Sequence, residues 1–251
     1  TGAASVVAAV IDTGIRPHAD LAGRVLPGYD FISDVPTAND GNGRDADPSD
    51  PGDWTSSSGQ CFPGSPVLSS SWHGTHVAGT IGANANNASD VAGVNWAAKI
   101  LPVRVLGTCG GFSSDIADGM RWAAGLPVPN VPPNPHKAGV LNLSLGGSGA
   151  CSVTYQNAIN DIRGAGAVIV VAAGNSAANA SGFRPGNCNG VITVAATDRH
   201  GDLSWYSNYG STIEISAPGG DTFFNEGDGI LSTLNAGLQG PGADSLAFYQ
   251  G

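Results

Sequence analysis

Six apolar, β-branched runs punctuate the chain, at residues 5–11, 99–106, 139–145, 167–173, 191–196 and 213–217. Val168-Ile169-Val170-Val171 is apolar without alternation, as a strand covered on both faces requires. Between the runs, residues 73–82, 113–124 and 152–164 read as helices. In the second, Ile116 and Met120 lie one turn apart and Ser113 or Ser114 can cap the N-terminus. In the third, Tyr155, Ile159 and Ile162 form one stripe that ends at Gly164. Strands alternating with helices predict an α/β fold of three layers, a central and mostly parallel sheet covered by helices. No internal repeat or linker divides the chain, so residues 1–251 are expected to form one domain. Two long Pro/Gly/Ser-rich loops, 34–71 and 126–136, have a length that is more often functional than accidental.

Charged residues make up only 12 %, against a usual ~25 %. Hydrophobic residues at 41 % suffice for a sizeable core, and the 38 glycines follow no G-x-y period. Ten Lys+Arg against 20 Asp+Glu leave a net charge of −10, which repels nucleic-acid phosphates and anionic lipid. The longest apolar runs fall far short of the ~20 residues that span a bilayer. Neither a nucleic acid nor a membrane is therefore expected as a partner. The four cysteines, Cys61, Cys109, Cys151 and Cys188, contain no C-x-x-C, against zinc and against a thioredoxin-like redox pair. An even count suits a secreted protein with two disulfides, the alternative being buried cytosolic thiols. Spacing leaves all three pairings open. No basic stretch followed by an apolar one stands at Thr1, so a signal peptide is expected to be absent or removed.

Val10-Ile11-Asp12-Thr13-Gly14 places a carboxylate at the C-terminal end of the first strand, the edge where parallel sheets collect ligands. Alone, Asp12 could equally cap a turn before Gly14. A paired-carboxylate protease is excluded because no second Asp-Thr-Gly exists. His73-Gly74-Thr75-His76-Val77-Ala78-Gly79-Thr80 is far more specific: a His at the mouth of a helix that small residues allow to pack closely. A zinc reading of His73 and His76 lacks the Glu that must follow the first His. Val171-Ala172-Ala173-Gly174-Asn175 ends another strand with a side-chain amide. That amide can donate to a developing oxyanion, or else sit in a turn. Leu143-Ser144-Leu145-Gly146-Gly147 ends a third, with glycines that let a peptide backbone approach.

In this order the segments resemble the subtilisin family of serine proteases, of the extracellular bacterial type. The resemblance implies that Asp12 orients His73, that His73 is general base and acid, and that Asn175 stabilises the tetrahedral intermediate. These roles come with the resemblance and not from the spacing. It further implies that Gly110-Gly111 and Ser144-Leu145-Gly146 flank the substrate peptide and that Ala172-Ala173-Gly174 line an open primary pocket for large apolar side chains. The family's nucleophile stands in a Gly-Thr-Ser-Met-Ala motif. Tyr249-Gln250-Gly251 resembles its lead-in, so the serine is expected two residues past Gly251 and the domain is expected to be incomplete at both ends. Ser245 lacks the Gly-Thr lead. The expected function is a secreted serine endopeptidase, inactive without that serine. The alternative is an inactive protease fragment that binds peptides by strand addition.

The resemblance also implies calcium. Asp20 and Asn87 supply side-chain oxygens and Ala85, Ser89 and Val91 backbone carbonyls, hard ligands that suit Ca²⁺. A second calcium is expected at the acidic loop through Asp45, Asp47, Asp50 and Asp53, with Asp40 beside them, against the alternative of a solvated acidic loop. The resemblance, to extracellular relatives with such a loop and matching cysteines, also implies that Cys61 pairs with Cys109 and Cys151 with Cys188. Protein or peptide substrates, a propeptide or proteinaceous inhibitors are the expected partners of a monomer.

Overall fold

A computed structural model describes residues 2–251. In chain order the elements are β1 (Val7–Asp12), β2 (Tyr29–Asp30), α1 (Val35–Ala38), α2 (His73–Gly82), β3 (Lys99–Arg104), α3 (Ser113–Ala123), β4 (Val140–Leu143), β5 (Gly147–Ser148), α4 (Val153–Gly164), β6 (Val168–Ala172), β7 (Phe183–Arg184), β8 (Ile192–Thr197), β9 (Ile215–Pro218), β10 (Ile230–Asn235) and β11 (Asp244–Tyr249). Seven strands form one sheet in the order β2-β3-β1-β4-β6-β8-β9. Every neighbouring pair is parallel. Strand β1 has β3 on one side and β4 on the other, so the winding direction reverses there. At such a switch point the carboxyl ends of adjacent strands open into a crevice.

The alternation along β1 sorts the layers. Ala9 and Ile11 enter a large core with Leu101, Met120 and Ile159, beneath α3 and α4. Val10 faces the other way, into a smaller core with Ile100 and Ala78 of α2. Helices thus cover both faces, the three-layer α/β arrangement read from the sequence.

The helix ends differ in how they are capped. Ser152 accepts from the Tyr155 N–H and caps α4. At α3 the cap is Phe112, with no side-chain bond, so neither Ser113 nor Ser114 serves. Asp115 supplies the favourable negative charge in that first turn, and its buried carboxylate is held by Arg44 and Ser33.

The hairpin of β10 and β11 gives no apolar run in the sequence. Its buried face is polar: Ser232 and Thr233 donate their hydroxyls to the carbonyls of His76 and Thr75 in α2. Gly79 is needed at this contact, because a Cβ there would collide with both hydroxyl side chains. The hairpin and α2 are therefore clamped together beside the carboxyl end of β1.

Candidate active site

Asp12 ends β1 on the same side as Val10 and so faces α2, whose first residue is His73. The His73 Nδ1 lies 2.8 Å from the Asp12 Oδ1. The Asp12 carboxylate is fully buried, whereas the His73 side chain is 37 % exposed, so the ring's other edge reaches the surface. The neighbouring carboxylate of Asp12 raises the His73 pKa, against the lowering effect of burial. With Nδ1–H donated to Asp12, Nε2 is left as the basic nitrogen. Thr13 fixes this geometry. Its N–H donates to Asp12 Oδ1 (2.8 Å), its hydroxyl donates to Asp50 Oδ2 (2.7 Å), and the same oxygen accepts the Gly74 N–H (3.0 Å). The strand end and the helix start are thereby joined through one hydroxyl.

His73 opens onto a cleft of about 860 Å³. Ser144, Leu145 and Gly146 line it from the end of β4, and Ala172, Ala173, Gly174 and Asn175 from the end of β6. The carboxyl-end residues Tyr249, Gln250 and Gly251 also line it. Gly251 donates its N–H to the Gly219 carbonyl, and a Cβ on it would stand 3.3 Å from Asn175 Nδ2. A carboxylate-oriented imidazole and a side-chain amide donor thus share one cleft, a pairing suited to acyl transfer.

Residues 3–251 match the family model Peptidase_S8, described as the Subtilase family. The chain belongs to this family. An extracellular protease of Xanthomonas campestris pv. campestris is 55 % identical to this subtilase over 251 residues, covering 100 % of this chain and 42 % of that protein. An extracellular basic protease of Dichelobacter nodosus is 47 % identical over 249 residues, 98 % of this chain and 40 % of that one. The subtilase chain therefore spans about two fifths of the length of these curated relatives. A solved protease structure from Pseudoalteromonas arctica superposes with a TM-score of 0.96 at 54 % identity, over 99 % of this chain and 74 % of that chain.

Not every expected site residue of the subtilase joins the cleft. Gly110 and Gly111 lie outside its lining, at a turn closed by the Gly107–Gly110 pair and tied to Cys61 through Cys109. Both disulfides have the anticipated partners, Cys61 with Cys109 and Cys151 with Cys188. Beside Gly174, Asn208 Nδ2 lies 2.6 Å and Phe183 3.8 Å from where a Cβ would stand. His76 stacks on Tyr249 at 4.4 Å and bonds the Ala247 carbonyl; burial lowers its pKa. Both rings of the H-x-x-H pair are thus engaged by protein groups. Ser245 sits on β11 opposite Leu234, and among the described residues no serine hydroxyl bonds the His73 ring.

At the acidic loop, where a second calcium is expected, the carboxylates already hold protein partners. Its carboxylates turn to separate partners: Asp45 to Asn42, Asp47 to Ser49, Asp50 to Thr13 and Asp53 to Ser71. Asp40 pairs with Arg104, which also holds the buried Asp30. Among the described residues no three acidic, His or Cys side chains converge as metal ligands. Instead, the loop's carboxylates brace the backbone beneath the site. The other set stays together. Asp20 is buried, with Asn87 Nδ2 at 2.5 Å and the Val91 N–H at 3.1 Å from its two oxygens, and the Ser89 N–H bonds Asn87 Oδ1 at 3.3 Å. Ala85 lies in the same loop, where Asn86, Ala88 and Asp90 are held in the left-handed region. Such backbone costs ~1–3 kcal/mol per residue and persists where something holds it. Asp20 and Asn87 thus stand together at a strained loop, and turning the Asn87 amide so that its oxygen replaces the nitrogen would give a hard cation two side-chain oxygens.

Sequence reading missed Asn208. It is fully buried; its Nδ2 donates to the Ala173 carbonyl, and its Oδ1 accepts from the N–H groups of Ser176 and Ala178. It holds the loop that carries Asn175, yet its surroundings in sequence, Tyr206-Ser207-Asn208-Tyr209, look like any polar turn.

Proposed function

We propose that this subtilase is the catalytic domain of a secreted serine endopeptidase whose nucleophilic serine is supplied by residues following Gly251. The observation that carries the reading is the Asp12–His73 hydrogen bond opening onto a cleft that also holds Asn175. His73 Nε2 takes the serine proton as the hydroxyl attacks a peptide carbonyl, and Asp12 stabilises the imidazolium that forms. Asn175 Nδ2 donates to the oxyanion, the species the site binds best. His73 then hands the proton to the leaving amine, and water repeats the sequence on the acyl-enzyme. Substrate backbone lies along Ser144–Gly146 and a side chain enters beside Ala172–Gly174. The position of Gly251 next to Asn175 and Gly219 supports a nucleophile entering the cleft from that end.

Ca²⁺ held by Asp20, Asn87 and the carbonyls of Ala85, Ser89 and Val91 would lock the strained loop, remote from the chemistry. The second reading is a domain that binds peptides without cleaving them. On this reading no serine serves His73, as among the described residues none bonds its ring and Ser245 pairs with Leu234 on β11. Fluorophosphonate treatment of the full-length gene product separates the two. An adduct mapped to a serine just past Gly251 is expected, together with loss of peptidase activity. No adduct, with intact peptide binding, would leave the second reading in its place.

A further inference from the structure

Of the ten Lys and Arg side chains, eight hydrogen-bond to a carboxylate or a backbone carbonyl of the protein. The other two, among the described residues, are Arg163 and Arg184. Arg163 is exposed on α4, where water serves it. Arg184 is half-buried and lines the substrate cleft. No Asp or Glu lines that cleft, although acidic residues outnumber basic ones two to one in the whole chain. A guanidinium has five donors and always carries charge, so one that is half-buried without a protein acceptor is served by cleft water and can exchange that water for an acceptor on a ligand.

The backbone around Arg184 is well fixed. Arg184 pairs with Gly147 and Phe183 with Ser148 in the β5–β7 ladder. The guanidinium carbon lies 3.6 Å from where a Cβ of Gly149 would stand, so the head group rests over the turn that follows β5. This places a fixed positive charge at the rim of the wall formed by Ser144–Gly147. Beside that wall, Phe183 lines the same cleft.

We propose that Arg184 is a specificity-determining residue that binds a carboxylate side chain of the substrate lying along the Ser144–Gly147 wall. The proposal rests on the peptidase reading and names the substrate class of that cleft: peptides with Asp or Glu near the scissile bond. A planar guanidinium meets a carboxylate through two parallel N–H···O bonds, a geometry that the neutral amide of Asn or Gln cannot match.

The test uses the full-length protein and peptides in which Glu or Gln is placed at each position around the scissile bond in turn. The readout is the ratio of kcat/KM for Glu over Gln, so a general loss of activity cancels. At one position the wild-type ratio should be about 10, between the few-fold of an exposed ion pair and the ~100-fold of a desolvated one. It should shrink in high salt, which screens the pair. Arg184→Gln should bring the ratio to about one and Arg184→Lys should keep part of it. Arg163→Gln, with the same change of net charge outside the cleft, should leave it unaltered. Equal ratios in wild type and Arg184→Gln would overturn the role of Arg184. A fluorophosphonate adduct without any Glu preference would overturn it while sparing the peptidase reading. Neither adduct nor hydrolysis of any peptide would overturn both.

Discussion

Replacing Asp50 by Asn should make the protein's stability less sensitive to pH, by an amount the structure allows to be worked out. Asp50 is 1 % exposed, and burial pushes its carboxyl pKa up to about 6, against the pull of its Thr13 and Gly52 hydrogen bonds. In the unfolded chain the value is about 3.9. The native state therefore holds this proton more tightly than the unfolded state does. Its contribution to stability is fully present below about pH 4, declines as the pH rises through 6, and is gone above that. Two pH units at about 1.4 kcal/mol each amount to about 3 kcal/mol. The amide introduced by Asp50→Asn does not titrate. It offers one acceptor oxygen fewer, which costs about 1–3 kcal/mol at every pH and drops out of a pH comparison. Asp30, raised to about 7 by burial, also loses stability as the pH rises, in both proteins alike; His73 does so too, and Asp50 is only the smallest of the charges that raise its pKa. At about 2–4 °C per kcal/mol, the Tm of Asp50→Asn relative to wild type should climb by about 6–12 °C between pH 4 and pH 8. Differential scanning fluorimetry at a fixed scan rate, on protein blocked against autolysis, reads this directly. A Tm difference that does not change with pH would refute the argument.

Asp12→Asn should lower kcat about 10⁴-fold and move the acid limb of the pH–rate profile to lower pH, since the carboxylate that raises the His73 pKa is gone; a stopped assay across pH 5–10 checks both. Asn208→Ala leaves two N–H groups and a carbonyl of the Asn175 loop without their partner, so kcat should fall about 10–100-fold with KM changed far less, as steady-state kinetics will tell. Opening the Cys151–Cys188 bridge, whose ends are 37 residues apart, should cost up to about 4 kcal/mol by denaturant titration of the double Ser variant. Chelation with EDTA should lower Tm and expose residues 85–91 to added protease, while leaving the pH–rate profile unchanged in shape.

The main sheet is legible in the sequence because its strands carry their evidence locally. In Val168–Ala172 the unbroken apolar run marks the strand, although only Ile169 and Val171 are buried and the face of Val168 and Val170 is no more than partly covered. The Asp and His of the site are legible for a related reason: each stands at the edge of a recognisable element, at the end of β1 and at the head of α2. Whatever depends on a distant partner is not. Ser232 and Thr233 are buried against α2 through hydrogen bonds to its carbonyls, so hydropathy gives no hint of their burial. The partners of the acidic loop are hidden for the same cause. Five carboxylates close in sequence suggest one cation, but a sequence does not say that Thr13, Ser71 and Arg104 wait to take three of them. Arg184 is the converse, a residue conspicuous only once the partners of the other buried cations are known.

The hairpin that clamps α2 also sets when the site can exist during synthesis. Tyr249 donates its hydroxyl to the Ser71 carbonyl across 178 residues, and Asp244 accepts the Ala19 N–H across 225. Pairings between segments so remote are the slowest to form, because a long stretch of chain must be closed before any contact offsets the lost entropy. A ribosome has already delivered Asp12 and His73 long before β11 emerges to complete the cleft wall. For most of its translation the polypeptide thus carries both halves of the charge pair without a finished substrate groove.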